Sequence, residues 1–459
     1  MKIFYSKIAR TFALLLLNLC AHISHAQPAG AVYANSQTTG GTGGTVTGET
    51  NAINSQETYA TLTATTVVGT VTAYLNLGFA DEITSSAASP STVYVRVNNS
   101  ASTNLLAGGV AVTAYSGTTL VSSTSTTYYT SDGKVFIAVT PTGNFKTVRV
   151  TLSSPLVVAS NTLNVYYAFR AANPSNESNP YPFNAADCGQ PNASTKGSSG
   201  LTLGKFDVTN PSSAIDNDLS TKSSLVSTGA ALLTGHITQT FIFNGKSNNR
   251  DAVRIVLSQS GSFVKANLAG SVNLKAYNGA SQVGAVTLMN SLLDVALLDL
   301  LGVNDSQVAF YYAPKESDGT PVIFDRIEID LNIAGLGAGL GAAGVNIHDI
   351  RRVPDETSMT APDMQACTNV GSVSLSALSL QAGISDIGTF NYAWYTDIRS
   401  GTLLSSAQNL LASGLTTVGT KTYYVQTQKT GSGCLASPRK KVTVTVQTAP
   451  ILPVVSLNP

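Results

Sequence analysis

Charge is scarce in this chain. Only 11% of its residues are Asp, Glu, Lys or Arg, and 26 basic residues nearly cancel 25 acidic ones. That balance excludes the basic footprint of a nucleic-acid binder and the polybasic patch that holds a protein on an anionic membrane. Histidine is scarce too. Beyond the N-terminal segment only His236 and His348 remain, each inside a strand-like run. The chain has no nucleophile elbow, no paired-histidine zinc motif and no phosphate loop. Carboxylate pairs such as Asp325 with Glu328 have the spacing of solvent-facing strand positions, not of the two walls of a glycosidase cleft. The composition therefore points away from an enzyme. A single tryptophan, Trp394, means that any stacking platform for sugars has to be built from tyrosine.

Long apolar runs are also missing. The longest, Phe12 to Ala21, falls short of the roughly 20 residues a membrane span requires. It follows Lys2, Lys7 and Arg10 and precedes Ser24-His25-Ala26, the pattern of a secretory signal over residues 1–26, with a mature chain from Gln27. Cys20 lies in the cleaved segment, and Leu19 stands where a lipoprotein signal has a small residue. The expectation is a protein secreted or displayed on the outer cell surface. Of the three remaining cysteines, Cys367 and Cys434 bracket the C-terminal region and form the natural pair. Cys188 is left over, either as a free thiol in a linker or as an intermolecular bridge.

What is abundant is Ser, Thr, Gly and Val, a strand-favouring composition. Within it lies a degenerate repeat. Ala52-Ile53-Asn54 returns as Ala214-Ile215-Asp216, and Gly69–Leu77 as Gly235–Phe243. Leu106–Tyr115 returns as Leu268–Tyr277, and Phe145–Leu152 as Phe324–Leu331, in the same order. Alternation as in Ile327-Glu-Ile-Asp-Leu331 and Val442-Thr-Val-Thr-Val446 predicts antiparallel sandwiches. Ser116-Gly117 and Asn278-Gly279 follow matched strands and predict hairpin turns.

The expected organisation is a first β-sandwich over 27–170, opening with a loose Gly/Thr-rich leader at 34–50. A Pro/Asn/Ser-rich linker at 171–200 leads to a second sandwich over 201–353. A short linker at 354–362, a third module at 363–447 and a tail at 448–459 complete the chain. Asn290 to Leu301 has near-helical spacing ahead of Gly302. Leu331 to Gly344 is either a flexible loop or an irregular buried strand pair.

Ser213-Ala-Ile-Asp-Asn-Asp-Leu-Ser-Thr221 places acidic side chains two apart on a tight turn, the donors a hard cation such as calcium takes. The segment resembles the opening turn of discoidin-type, galactose-binding-like jelly-roll modules, in which this turn often holds a structural calcium. That resemblance covers the turn and the strand after it, and it implies Asp216, Asp218 and Ser220 as calcium ligands. Asn217 stands where the family has glycine, and Lys222 where it often has tryptophan. In the first module the corresponding turn is Asn54-Ser55-Gln56-Glu57, with one charge in place of two. The alternative for the same residues is an Asx-turn cap without metal.

The third module resembles a Bacteroidetes-type immunoglobulin-like domain of large bacterial surface proteins. The residues that carry this are Cys367, Tyr392-Ala-Trp394-Tyr395, Gly401-Thr402-Leu403, Thr422-Tyr423-Tyr424-Val425, Gly433-Cys434 and the run from Val442 to Val446. The resemblance implies a seven-stranded sandwich with Trp394 in its core, a Cys367–Cys434 bridge and a spacer or adhesive role. Tyr128-Tyr129 and Tyr311-Tyr312 are the candidate sugar-stacking pairs, although adjacent strand residues face opposite ways and one of each pair is expected in the core. The chain as a whole therefore points to an all-β surface adhesin or display protein, partnered by an extracellular glycan or surface protein. The alternative is a carbohydrate-binding protein, possibly calcium-dependent.

Overall fold

The computed structural model describes residues 31–450 except 54–56, 67–68, 99–108, 155–158, 172–182, 184–187, 204–205, 228–229, 261–268, 296, 298–305, 334–342, 382–388 and 432. The signal segment, residues 54–56 of the first-module counterpart of the acidic turn and most of the tail lie outside these residues. The described chain is almost entirely strand. None of its helices is long and apolar enough to cross a membrane. It divides into two compact units, Met1–Ser125 with Ile137–Pro174, and Thr126–Phe136 with Ser175–Pro459.

The first unit contains a five-stranded sheet in the order Ser36–Thr42, Val71–Ile83, Phe145–Ser154, Val110–Ser116, Thr119–Val121. Its other sheet runs Val135–Pro141, Val93–Val97, Ala159–Arg170, Ala60–Thr66, Thr45–Thr47. Alternate side chains such as Ala73, Leu75 and Leu77, or Val148, Val150 and Leu152, are fully buried, as a half-covered sheet requires. The predicted loose leader at 34–50 is thus a correction: it supplies an edge strand to each sheet. Glycine supplies close approach here, not looseness. A Cβ on Gly41 (φ +143°) would lie 2.2 Å from the Thr72 carbonyl oxygen, and one on Gly40 2.3 Å from the Tyr74 hydroxyl.

The second unit repeats this topology strand for strand. One sheet runs Pro191–Leu203, Ala230–Phe243, Arg326–Asn332, Val272–Asn278, Ser281–Leu288. The other runs Val308–Tyr312, Asp251–Ser260, Ala343–Pro354, Ser223–Ser227, Phe206–Thr209. The predicted hairpins close as expected, with left-handed Gly117 (φ +59°) and Gly279 (φ +63°) in two-residue loops. Register corrects the sequence match at one point. Val148 pairs with Leu77 and Ile327 with Phe241, so Phe79, not Leu77, is equivalent to Phe243. Ring packing agrees: Phe79 meets Phe145 edge-on at 6.4 Å, and Phe243 meets Phe324 edge-on at 6.1 Å. A two-residue offset keeps the same face inward, so alternation alone could not detect it.

The predicted linker at 171–200 is corrected as well. Pro191 opens a thirteen-residue strand that pairs along Ala230–Phe243. Tyr129 and Thr130 of the strand Ser123–Thr130 pair with Ser194 and Ala193. The stretch with helical spacing begins as a 3-10 turn over Met289–Ser291, and residues 298–305 lie outside the described ones.

The C-terminal module packs strands Met364–Cys367, Lys440–Gln447, Gly419–Lys429, Phe390–Tyr395 and Leu403–Ser405 against the pair Gly371–Ser376 and Asn409–Leu415. Trp394 is fully buried and donates its indole N–H to the Gln408 carbonyl at 3.4 Å. The predicted linker at 354–362 belongs to this module. Met359–Thr360 pairs with Leu378–Ser379, and Met359 and Ala361 join the core.

The predicted Cys367–Cys434 bridge is a further correction. Cys434 bonds to Cys188, and Cys367 is a half-buried free thiol. Cys367 lies opposite Gln447 on a parallel strand, whereas Cys434 occupies the loop beyond Val425 and Lys440. The hairpin between them is over ~20 Å long at ~3.3 Å per residue, far beyond the ~7 Å Cα limit of a disulfide. Cys188 is instead brought to Cys434. Its backbone is left-handed (φ +71°), and the next residue, Gly189, accepts the Arg352 N–H at 2.8 Å. It is therefore neither a free thiol nor an intermolecular bridge.

Candidate functional site

The acidic turn forms where the 3-10 turn Pro211–Ala214 ends. Asn217 takes the left-handed conformation (φ +70°) that glycine would otherwise supply. Asp216 accepts the Asp218 N–H at 2.9 Å and the Thr221 hydroxyl at 2.8 Å. Asp218 accepts the Ser220 N–H at 2.9 Å and hydroxyl at 2.6 Å, bonds that hold its carboxyl below the usual range. These are Asx-type caps.

The cation question turns on Thr221. Its hydroxyl has one proton, yet it lies within reach of three acceptors: the Ser213 carbonyl at 3.2 Å, Asp216 Oδ2 at 2.8 Å and the Asp218 carbonyl at 2.9 Å. Four oxygens with one carboxylate charge meet there, and the Asp218 carbonyl also accepts the Thr221 N–H at 3.1 Å. Asp218 contributes its carbonyl rather than its carboxylate. Ser220 stands apart with its hydroxyl on Asp218. Among the described residues no group of three or more His, Cys, Asp or Glu has metal-holding geometry.

The turn is tied into a buried polar node. Arg351 bonds Asn217 Oδ1, Asp349 Oδ1 at 3.1 Å and the Gly433 carbonyl, beside Cys434, at 2.8 Å. Burial pushes the Asp349 carboxyl up, against the pull of Arg351 and Arg254. Together with the disulfide and the bonds of Gln381 to Asp251 (3.1 Å) and of Arg250 to the Thr357 carbonyl (3.1 Å), this docks the C-terminal module on the second sandwich.

His348 is buried. Its Nδ1 faces the carbonyls of Leu219 (3.0 Å) and Thr221 (3.1 Å) and the Gln307 amide nitrogen (3.2 Å), and its Nε2 lies 2.9 Å from the Ser258 hydroxyl. The tyrosine pairs split as alternation requires. Tyr129 and Tyr312 are buried, and burial raises both hydroxyls, that of Tyr312 to about 12. Tyr128 packs on Phe183 at 5.5 Å. Neither pair forms an open sugar platform.

The arrangement that sequence reasoning missed lies on the outward face of the first unit's sheet of Ser36–Thr42 and its neighbours. Register sets three cross-strand rows: Ser36, Gly78, Thr147, Tyr115; then Thr38, Asn76, Arg149, Thr113; then Gly40, Tyr74, Thr151, Ala111. Arg149 lies between two rings, 4.1 Å from the Tyr74 centroid and 4.5 Å from that of Tyr115. Its Nε donates to Asn76 Oδ1 at 2.7 Å, and Asn76 donates to the Thr38 hydroxyl at 2.8 Å. A cavity of about 230 Å³ opens over Gln37, Thr38, Asn76, Tyr115, Thr147 and Arg149.

The second unit carries different chemistry on the equivalent rows. Glu328 stands at the position of Arg149, Lys275 at that of Thr113, Asp330 at that of Thr151 and Thr240 at that of Asn76. Lys275 pairs with Glu328 at 2.9 Å and Asp330 at 2.8 Å, and Asp330 also meets His236 at 2.8 Å. Glu328 is therefore not simply solvent-facing. Asp325 is buried and accepts the Gly279 N–H at 3.0 Å.

The described structure defines an all-β, disulfide-bonded protein of repeated sandwiches with a docked C-terminal domain. Residues 354–447 match the family described as "Ig-like domain CHU_C associated" and form an immunoglobulin-like domain. Such a domain together with a disulfide marks an extracellular protein. No curated protein matches the chain. Among solved structures it is similar to a β-1,2-glucanase from Parabacteroides distasonis (12% identity, 56% of this chain and 37% of that one, TM-score 0.27). It is also similar to the adhesin domain of Epf from Streptococcus pyogenes (8% identity, 56% and 93%, TM-score 0.20). A third similarity is to the collagen adhesin of S. aureus (9% identity, 90% and 94%, TM-score 0.12). TM-scores this low carry no argument about fold or function.

Proposed function

We propose that the protein is an exported surface adhesin or display protein that works by binding, without a catalytic step. The observation that carries this reading is the disulfide clamp. Cys188 and Cys434 fasten an immunoglobulin-like domain of the surface type to the second sandwich, a construction that withstands the oxidising exterior of a cell. The test is protease shaving and antibody labelling of intact cells, with attachment to surfaces measured for a deletion strain. Unlabelled cells, or a deletion strain that attaches as well as its parent, overturn the reading.

The alternative is a carbohydrate-binding protein, and one observation favours it. The sheet face around Arg149 joins aromatic rings to amide and hydroxyl groups over an open cavity. A calcium ion at the acidic turn would be structural, held by Ser213, Asp216, Asp218 and Thr221. It would relieve the oxygen crowding around the Thr221 hydroxyl. Calorimetric titration with calcium tests it, and absence of binding heat by the folded chain removes the cation from the account.

A further inference from the structure

We propose that the Arg149 face of the first sandwich binds an acidic polysaccharide through its carboxylate or sulfate groups. This rests on the adhesive reading above and names its ligand class.

The argument begins with charge. Arg149 is partly buried, and among the described residues it meets no carboxylate. Its partners are neutral: Asn76 at Nε and, at 3.5 Å, the Tyr115 hydroxyl at Nη1. Glu82, six residues beyond Asn76 on the same strand, is exposed and takes the Ser116 hydroxyl. The two tyrosine rings fix the guanidinium plane, so its fork is preorganised for an oxyanion and loses little entropy on binding one.

The second repeat provides an internal contrast. The same lattice position holds Glu328, and Lys275 beside it neutralises the site from within. The same scaffold can therefore close its charges internally, and in the first repeat it leaves a cation open. Around Arg149 the cavity offers Thr38 and Thr147, which suit sugar hydroxyls, and the ring of Tyr115. A Cβ on Gly78 would lie 2.4 Å from the Ser36 hydroxyl, so this glycine lets Ser36 pack across the cavity floor.

The test is calorimetry of the full mature chain with oligogalacturonate, sulfated galactan and neutral dextran, at low and high salt and with chelator present to exclude calcium bridging. Acidic saccharides are expected to bind, more weakly at high salt, and dextran is not. Arg149→Gln is expected to lose about tenfold or more in affinity, the scale of charge-assisted hydrogen bonds. Arg149→Lys is expected to retain part of the binding, and Glu328→Gln all of it. Circular dichroism and urea midpoints report whether each variant is folded. Acidic-saccharide binding that survives Arg149→Gln, or the absence of any acidic-saccharide binding, overturns the assignment. Equal affinity for dextran overturns the ligand class while leaving an adhesive protein. Normal attachment by the deletion strain separately removes the adhesive reading.

Discussion

Phe145 and Phe324 occupy equivalent core positions, each fully buried and each edge-on to its partner, Phe79 or Phe243. Truncating either to alanine removes the ring's burial and leaves a cavity. Each substitution is expected to cost about 3–5 kcal/mol, read as a lower urea midpoint for the sandwich concerned. Asp251 tests the docked seam. Burial raises its carboxyl above the ordinary 3.8, against the pull of Arg352 and the bonds from Asn248 and Gln381. The folded form therefore keeps its proton to higher pH than the unfolded one, and this group's contribution to stability falls as pH rises above about 3.8. Unfolding midpoints measured across that range should show the wild-type protein losing ground to Asp251→Asn as pH rises. A pH-independent difference would remove the carboxyl from the account.

At the scale of elements, the strands hardest to read were those without apolar alternation. Ser36–Thr42 is built from Ser, Gln, Thr and Gly, and Pro191–Leu203 is apolar only at Pro191, Ala193, Leu201 and Leu203 among Ser, Thr, Gly, Asn and Lys, so neither gives a sustained period-2 signal. They are strands because their neighbours present unpaired backbone groups, and backbone hydrogen bonding does not depend on side-chain type. Amide exchange should therefore be slow at alternate residues of Ser36–Thr42, where the chain pairs with Gly78 to Thr72. Deleting residues 34–47 should destabilise the first sandwich, whereas loss of a mere leader would leave its urea midpoint unchanged. The alternating strands Arg326–Asn332 and Lys440–Gln447 were legible at once, because one face of each meets a core.

For the whole molecule, the 246-residue separation between Cys188 and Cys434 makes the disulfide a long-range constraint. On the chain-entropy model a loop of that size contributes about 5 kcal/mol. Non-reducing peptide mapping should recover the Cys188 and Cys434 peptides joined, with Cys367 labelled by maleimide after denaturation. Reduction should lower the unfolding midpoint of the second sandwich and expose the Arg351 node to proteolysis. A Cys367–Cys434 peptide would overturn the arrangement.

Composition and alternation by themselves determined the all-β class, matched segments such as Phe145–Leu152 and Phe324–Leu331 the duplicated module, and a resemblance carried by residues such as Trp394 and Thr422-Tyr423-Tyr424-Val425 the immunoglobulin-like C-terminal domain. The all-β class follows from local propensity and from apolar faces that must be buried. The sequence also marked the acidic turn, since Asx chemistry is local. Tertiary structure alone decided the Cys188 pairing, because disulfide choice depends on which loops meet. It alone decided the true offset between the repeats, which keeps side-chain parity and so leaves no trace in the pattern. It also decided the Arg149 site. Thr38, Tyr74, Asn76, Tyr115 and Arg149 come from four strands scattered along the chain, and only the register of one sheet brings them together.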